Sequence, residues 1–229
     1  KYGADALRLT LITGNAPGND MRFYWEKVEA SRNFANKVWN ASRFIMMNIE
    51  GKDFQTPERF HLKPADRWIL NKLNELIAEM TDNMERFELG IAVQKVYDFI
   101  WDELCDWYLE MAKVRIWKAQ ADQDSADYAM WTLRTVLTEA LKLLHPFMPF
   151  ITEEIYCTLL PEEESIMISD WPTVRREWEF SLYTPVVEAV KEAVRGVRNI
   201  RVEMNVPHNR KTKVYIVGAD EAACEMYEQ

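Results

Sequence analysis

The stretch WEKVEASRNFANKVWNASRFIMMNI, residues 25–49, decides the fold. At 100° per residue it gathers Val28, Ala35, Val38, Ser42, Ile45 and Ile49 onto one narrow stripe, the mark of a helix with a single buried side. Gly51 follows where a glycine C-cap belongs. Such a helix must lie against a bundle, and its partners come from the flanking sequence. A polar linker with Pro57 and Pro64 leads to a second helix opened by Pro64, Ala65 and Asp66. Trp68, Ile69, Leu73, Leu76, Ile77, Met80, Met84 and Phe87 carry its period as far as Gly90. From Ile91 to about Trp117, Val93, Val96, Tyr97, Ile100, Leu104, Trp107, Met111 and Val114 predict a third long helix. Ser125 is placed to cap a fourth, which His145-Pro146 breaks, and Pro149 precedes a short one through Tyr156.

Four or five antiparallel helices joined by modest loops make a bundle, so the expected class is mainly α. On the N-terminal side, the first twenty residues end in TGNAPGND and read as a short apolar element and a loop. On the far side, Ser165 to Pro172 is irregular, Leu182 to Glu203 is a charged amphipathic helix, and Lys213 to Val217 alternates like a strand. The expected organisation is a connector over residues 1–20, the helical bundle over 21–170, and the start of a small α/β appendage over 171–229, truncated before completion.

Composition agrees with helix: nine tryptophans and eleven methionines stand against seven glycines in 229 residues, 48% of them apolar. No uncharged apolar run is long enough to span a bilayer, and no signal-peptide series opens the chain. A cytoplasmic protein with no membrane partner is the expectation. Cys105, Cys157 and Cys224 stand alone, without the spacing of a disulfide framework or a zinc site. His61, His145 and His208 are scattered, and there is no phosphate-cradling glycine loop or nucleophile elbow. The chain is therefore expected to hold no cofactor or metal and to catalyse nothing. A formal charge of -9 excludes a generally basic nucleic-acid binder, leaving no reason for a DNA partner; RNA binding must be local. The start at Lys1, without an initiator methionine, reads as a piece of a longer protein.

The arc of the first helix opposite its buried stripe is the informative one. It bears Arg32, Asn33, Asn36, Lys37, Asn40, Arg43, Phe44 and Met47, with no acid among them. Asparagine costs helix propensity, and an exposed ring forgoes burial. Phe44 either packs on a neighbouring element or belongs to a surface for splayed nucleotides, where a ring stacks on a base, amides read edges and cations meet phosphate. On the third helix Leu109 stands about opposite the apolar stripe, with Asp102, Asp106 and Lys113 beside it. The competing reading is a protein-interaction scaffold that docks a partner helix on Phe44, Met47 and Leu109.

Several blocks resemble class I aminoacyl-tRNA synthetases. YGADALR at 2–8 looks like the segment after their ATP-site signature loop, and LLHPFMPFITEEIY at 143–156 with Trp171-Pro172 is shared by the valyl, isoleucyl and leucyl families. GNDMRF at 18–23, RNFANKVWNASRF at 32–44 and CDWYLE at 105–110 are similar to the valine-specific family in particular. The resemblance implies the anticodon-binding bundle of a valine–tRNA ligase, with tRNA bearing a valine anticodon as partner. It implies that Phe44 stacks on anticodon bases, with Lys37, Asn40 and Arg43 around it and Leu109 contributing from the facing helix; Asn33, Asn36 and Lys113 join them by proximity on the same faces. The parent enzyme would use ATP and Mg²⁺, and its catalytic and editing domains would be further partners. A related isoleucyl or leucyl enzyme is the alternative within the class.

Overall fold

The computed structural model of the protein describes residues 1–14, 22–49, 52, 54–207, 210–211 and 213–215. Its α-helices are α1 (Ala4–Ile12), α2 (Trp25–Ile49), α3 (Pro64–Glu85), α4 (Leu89–Asp98), α5 (Leu109–Trp117), α6 (Gln123–Leu144), α7 (Pro149–Leu159) and α8 (Thr184–Glu203). A π-helical stretch, Phe99–Tyr108, joins α4 to α5 without a break. The described residues contain no strand, so the protein is mainly α. Lys1–Glu179 form one compact unit, and a second begins at Phe180.

The expected first helix is α2. Val28, Val38, Ser42 and Ile45 are buried as its stripe requires, but the buried side is wider than the stripe and includes Phe34, Ala41 and Ser31. Phe34 is fully buried and stacks on Tyr97, with ring centroids 4.3 Å apart, and on Trp101 at 6.3 Å. Gly51, the expected C-cap, lies outside the described residues.

At the start of α3, Pro64 occupies the first turn and Asp66 accepts the Lys63 backbone N–H at 2.9 Å. Asp66 is also the hub of a buried network: it accepts the Tyr108 hydroxyl at 2.6 Å and the Arg115 guanidinium at 2.5 Å. The same guanidinium donates to the Ser125 carbonyl at 2.6 Å, so one carboxylate ties α3 to the third long helix and to the start of α6. A charge this deep is tolerable only because it is fully partnered. Burial, and then the carboxylate of Asp66, hold the Tyr108 phenol well above its ordinary range.

The second helix stops earlier than its apolar period suggests. Phe87 has left-handed geometry, φ 60°, and is 81% exposed. The Glu88 N–H bonds back to Asn83 O at 2.9 Å and the Phe87 N–H to Met84 O at 3.1 Å. That pair of bonds is a Schellman closure, with phenylalanine where glycine is usual. Capping overrides periodicity here, and Phe87 is no core residue. The fourth helix also begins earlier than expected, because Asp122 rather than Ser125 is its cap: Asp122 Oδ1 accepts the Ser125 N–H at 3.0 Å.

The third long helix holds the largest correction. Through Leu104 its buried side is the predicted one, with Val93, Val96, Ile100 and Leu104 at 1% exposure or less. Beyond it Trp107 stays buried as expected, but Cys105, Tyr108, Leu109 and Ala112 are buried as well, whereas Val114, expected inside, is 49% exposed. The stripe has moved by one residue, roughly 100° of rotation. The π-helical stretch is the cause: its wider turns, such as the Leu109 N–H bonding to Leu104 O, absorb the extra residue. Leu109, expected on the exposed side, is therefore 6% exposed.

Contacts along the helices fix their directions. Glu79 meets Lys95 at 3.0 Å while Asp66 meets Arg115, so α3 and the third long helix run antiparallel. By contrast Phe34 meets Tyr97, Lys37 meets Asp106 and Phe44 meets Lys113, so α2 runs in the same direction as that helix. The short apolar element expected among the first residues is the helix α1, which clasps the corner between α6 and α7. Asp5 accepts the N–H groups of Phe150 (3.3 Å) and Ile151 (2.7 Å) at the start of α7, while Arg8 donates to the carbonyls of Phe147 (3.3 Å) and Pro146 (3.0 Å). Asn74 of α3 pins the irregular segment after α7 by exchanging two bonds with the backbone of Arg175, at 2.6 and 3.0 Å.

In the second unit, α8 ends in another Schellman closure, this time on Asn205, φ 51°, with Val206 N–H bonding to Arg201 O at 2.8 Å. Of the strand expected from Lys213 to Val217, residues 213–215 adopt no regular structure and the other two lie outside the described residues. The described part of the expected α/β appendage thus holds a helix and no strand.

Candidate nucleic-acid interface

The asparagines and Arg43 are where the wheel puts them. Asn33, Asn36, Asn40 and Arg43 are exposed along one side of α2, and Lys37 and Phe44 are half-buried at its border with the third long helix. Trp39, 39% exposed, and Met47, 68% exposed, extend the same side, which totals about four turns. Asn33 is partly engaged already: its Oδ1 accepts from Arg32 at 3.1 Å, and Arg32 also pairs with Glu29 at 3.0 Å.

What the neighbouring helix adds could not be read from α2 alone. Lys37 Nζ lies 2.6 Å from Asp106 Oδ1 and 3.7 Å from the centroid of the Trp101 ring. Lys113 stands over the Phe44 ring at 5.3 Å and pairs with Glu110 at 2.5 Å. The arc that carries no acid of its own therefore meets Asp106 from the neighbouring helix, while Lys113 is held by Glu110 of its own helix. Both carboxylates are more than half exposed, at 51% and 58%. Exposed pairs are worth about 0–1 kcal/mol, so a phosphate can replace either carboxylate at small cost. A cation over a ring within about 6 Å adds roughly 0.5–1 kcal/mol at exposed sites, enough to orient Phe44 without burying it.

Of the residues singled out in the sequence, the structure brings together Phe44 with Lys113, and Lys37 with the third long helix. Asn36, Asn40 and Arg43 share the adjoining open side, whereas Leu109 lies in the packed interior. Cys105 lies beside this border, and burial, the largest influence, pushes its thiol up to about 12; Asp106 adds to the rise, while Lys37 and Lys113 oppose it. The thiol is an inert packing group. The sequence marks Asp106 only as a neighbour of Leu109 and leaves Trp101 unmarked, because both belong to an element whose rotation depends on the π-helical stretch. No group of three His, Cys, Asp or Glu side chains suited to a metal ion occurs among the described residues. Among them too, no helix is long and apolar enough to cross a membrane.

Exposed amides, one half-open ring and two cations held loosely by carboxylates suit single-stranded nucleotides. Comparison with known proteins points the same way. The family described as the anticodon-binding domain of tRNA ligase matches residues 66–216. The valine–tRNA ligase of Clostridium tetani is 50% identical over 223 residues, covering 96% of this chain and 25% of that protein. That of Clostridium acetobutylicum is 50% identical over 232 residues, covering 99% and 26%, and that of Bacillus anthracis 45% over 223, covering 97% and 25%. The chain thus spans about a quarter of the length of these relatives. Among solved structures, the ternary complex LeuRS-tRNA-LeuAMS of Agrobacterium radiobacter K84 shares the fold with a TM-score of 0.57 at 18% identity, over 77% of this chain and 20% of that one. With a helical bundle, an amide-bearing helix face and a family match over most of its length, the chain belongs to the anticodon-binding domain family of tRNA ligases.

Proposed function

We propose that this chain is the anticodon-binding part of a valine–tRNA ligase and that α2 reads the anticodon loop of valine tRNA. The observation that carries the reading is the half-buried Phe44 ring under the Lys113 ammonium, at the edge of an open row of Asn36, Asn40 and Arg43. Phe44 offers its ring to a base, the amides offer both donors and acceptors to base edges, and Arg43 offers a fork to phosphate or to a guanine edge. Lys37 and Lys113 exchange Asp106 and Glu110 for phosphate as the loop docks. The parent enzyme would join valine to tRNA at the expense of ATP, with Mg²⁺, in a catalytic domain elsewhere in its chain, and an editing domain would be a further partner. Its compartment would be the cytoplasm.

The test is a titration of fluorescently labelled stem-loops into the chain at low and moderate salt. One stem-loop carries a valine anticodon; the other has its second and third anticodon bases changed. The expected result is selective binding that weakens with salt, and that Phe44→Ala reduces by about 1–3 kcal/mol, the worth of one stacked base. Equal affinity for both loops, or a Phe44→Ala variant that binds as well as the original, overturns the reading.

A further inference from the structure

Where α2 ends, a groove of about 470 Å³ opens beside the amide row. Arg43, Met47 and Ile49 of α2 line it together with Lys52, Arg134 of α6 and Leu159 of α7. We propose that this groove holds one further nucleotide of the bound RNA strand, its phosphate between Arg43, Lys52 and Arg134 and its base on Met47, Ile49 and Leu159. The proposal rests on the reading of α2 as an RNA-binding face.

Three observations carry it. The first is charge: the described residues that line the groove include three cations and no carboxylate, in a chain whose formal charge is -9. Glu162 reaches Arg134 from outside the lining, but at 3.6 Å and with 62% of its side chain exposed it is a partner that phosphate readily displaces. Continuity is the second, because Arg43 belongs to both surfaces, so a strand lying on the amide row runs into the groove without leaving the protein. The third is size and chemistry. A volume of about 470 Å³ falls within the roughly 300–1,000 Å³ of small-ligand sites, enough for a nucleotide. Met47, 68% exposed, provides a polarizable, rotatable floor that a base of any identity can cover. The groove therefore adds affinity and fixes the path of the strand, while discrimination stays with the amides.

Arg134→Gln is the decisive variant, because Arg134 belongs to α6 and touches none of the residues assigned to base reading. The probe is the valine-anticodon stem-loop, titrated between about 50 and about 200 mM salt. Binding should weaken to the same degree for every loop sequence, and the slope of log K against log salt should flatten by about 0.7, the loss of one phosphate contact on a single strand. A stem-loop carrying a neutral methylphosphonate at the contacted phosphate should then lose nothing more in the variant. Asn40→Ala is the companion, expected to relax loop preference and leave the slope unchanged. If Arg134→Gln keeps affinity and slope while Asn40→Ala loses preference, the groove is overturned and the α2 face stands. A chain that binds no loop at all overturns both. Unchanged helical circular dichroism and melting show that either variant is folded.

Discussion

Phe34 and Phe44 lie ten residues apart on one helix and have opposite fates. Phe34 is 0% exposed and sandwiched with Tyr97 and Trp101; Phe44 is half-open, and the contact on its ring is an ammonium group. Ten residues at 100° leave the second ring about 80° away from the first, just off the edge of the buried side. That small rotation separates a residue that holds the fold from one kept at the surface. Along the length of α2 one side closes the bundle, from Val28 to Ile45, and the adjoining side stays open to a ligand.

The largest expected effect tests that division directly. Phe34→Ala should cost about 3–5 kcal/mol of stability by urea unfolding, the range for a large aromatic removed from a packed core. Phe44→Ala should cost about 1 kcal/mol or less, since it loses little beyond the Lys113 contact. Equal costs would break the comparison and make Phe44 a structural ring. A smaller effect is expected for Asp106→Asn, which releases Lys37 from an exposed pair. Stability should move by no more than about 1 kcal/mol, while RNA binding should tighten and its salt slope steepen by up to about 0.7. A slope that does not steepen means that Trp101, not Asp106, holds Lys37 in place. The smallest effect concerns Cys105. With its thiol at about 12, only about one molecule in 10⁴ is thiolate at pH 8, so iodoacetamide should label it far more slowly than it labels the chain unfolded in urea. Phe34→Ala should speed that labelling and Phe44→Ala should not.

Much of this was legible in the sequence. The bounds of α2 follow from a stripe and two turns, and the open amide row follows from an arc without acids. Both depend on neighbours within four residues, which a regular helix fixes. Elsewhere, local rules competed. Phe87 continued an apolar period, yet the chain closed the helix before it; Asp122 took the cap that Ser125 was expected to provide. Beyond Leu104, no wheel drawn at a constant angle finds Leu109 inside or Val114 outside. Asp106 opposite Lys37 and Arg134 across the groove from Arg43 come from other helices. They are properties of packing, and the sequence of α2 holds no trace of them.

The π-helical stretch also gives the interface one place where a residue can be lost. Phe99–Tyr108 stores one residue more than an α-helix would need to cover the same phase. Deleting a single residue there would let the stretch rewind as α over that phase, with its hydrogen bonds intact and Lys113 still over Phe44. The same deletion just beyond it, between Leu109 and Lys113, where the winding is already α, would clock everything downstream round by roughly 100° and take Lys113 away from Phe44. A change of one codon is thus absorbed in the stretch and disruptive beside it.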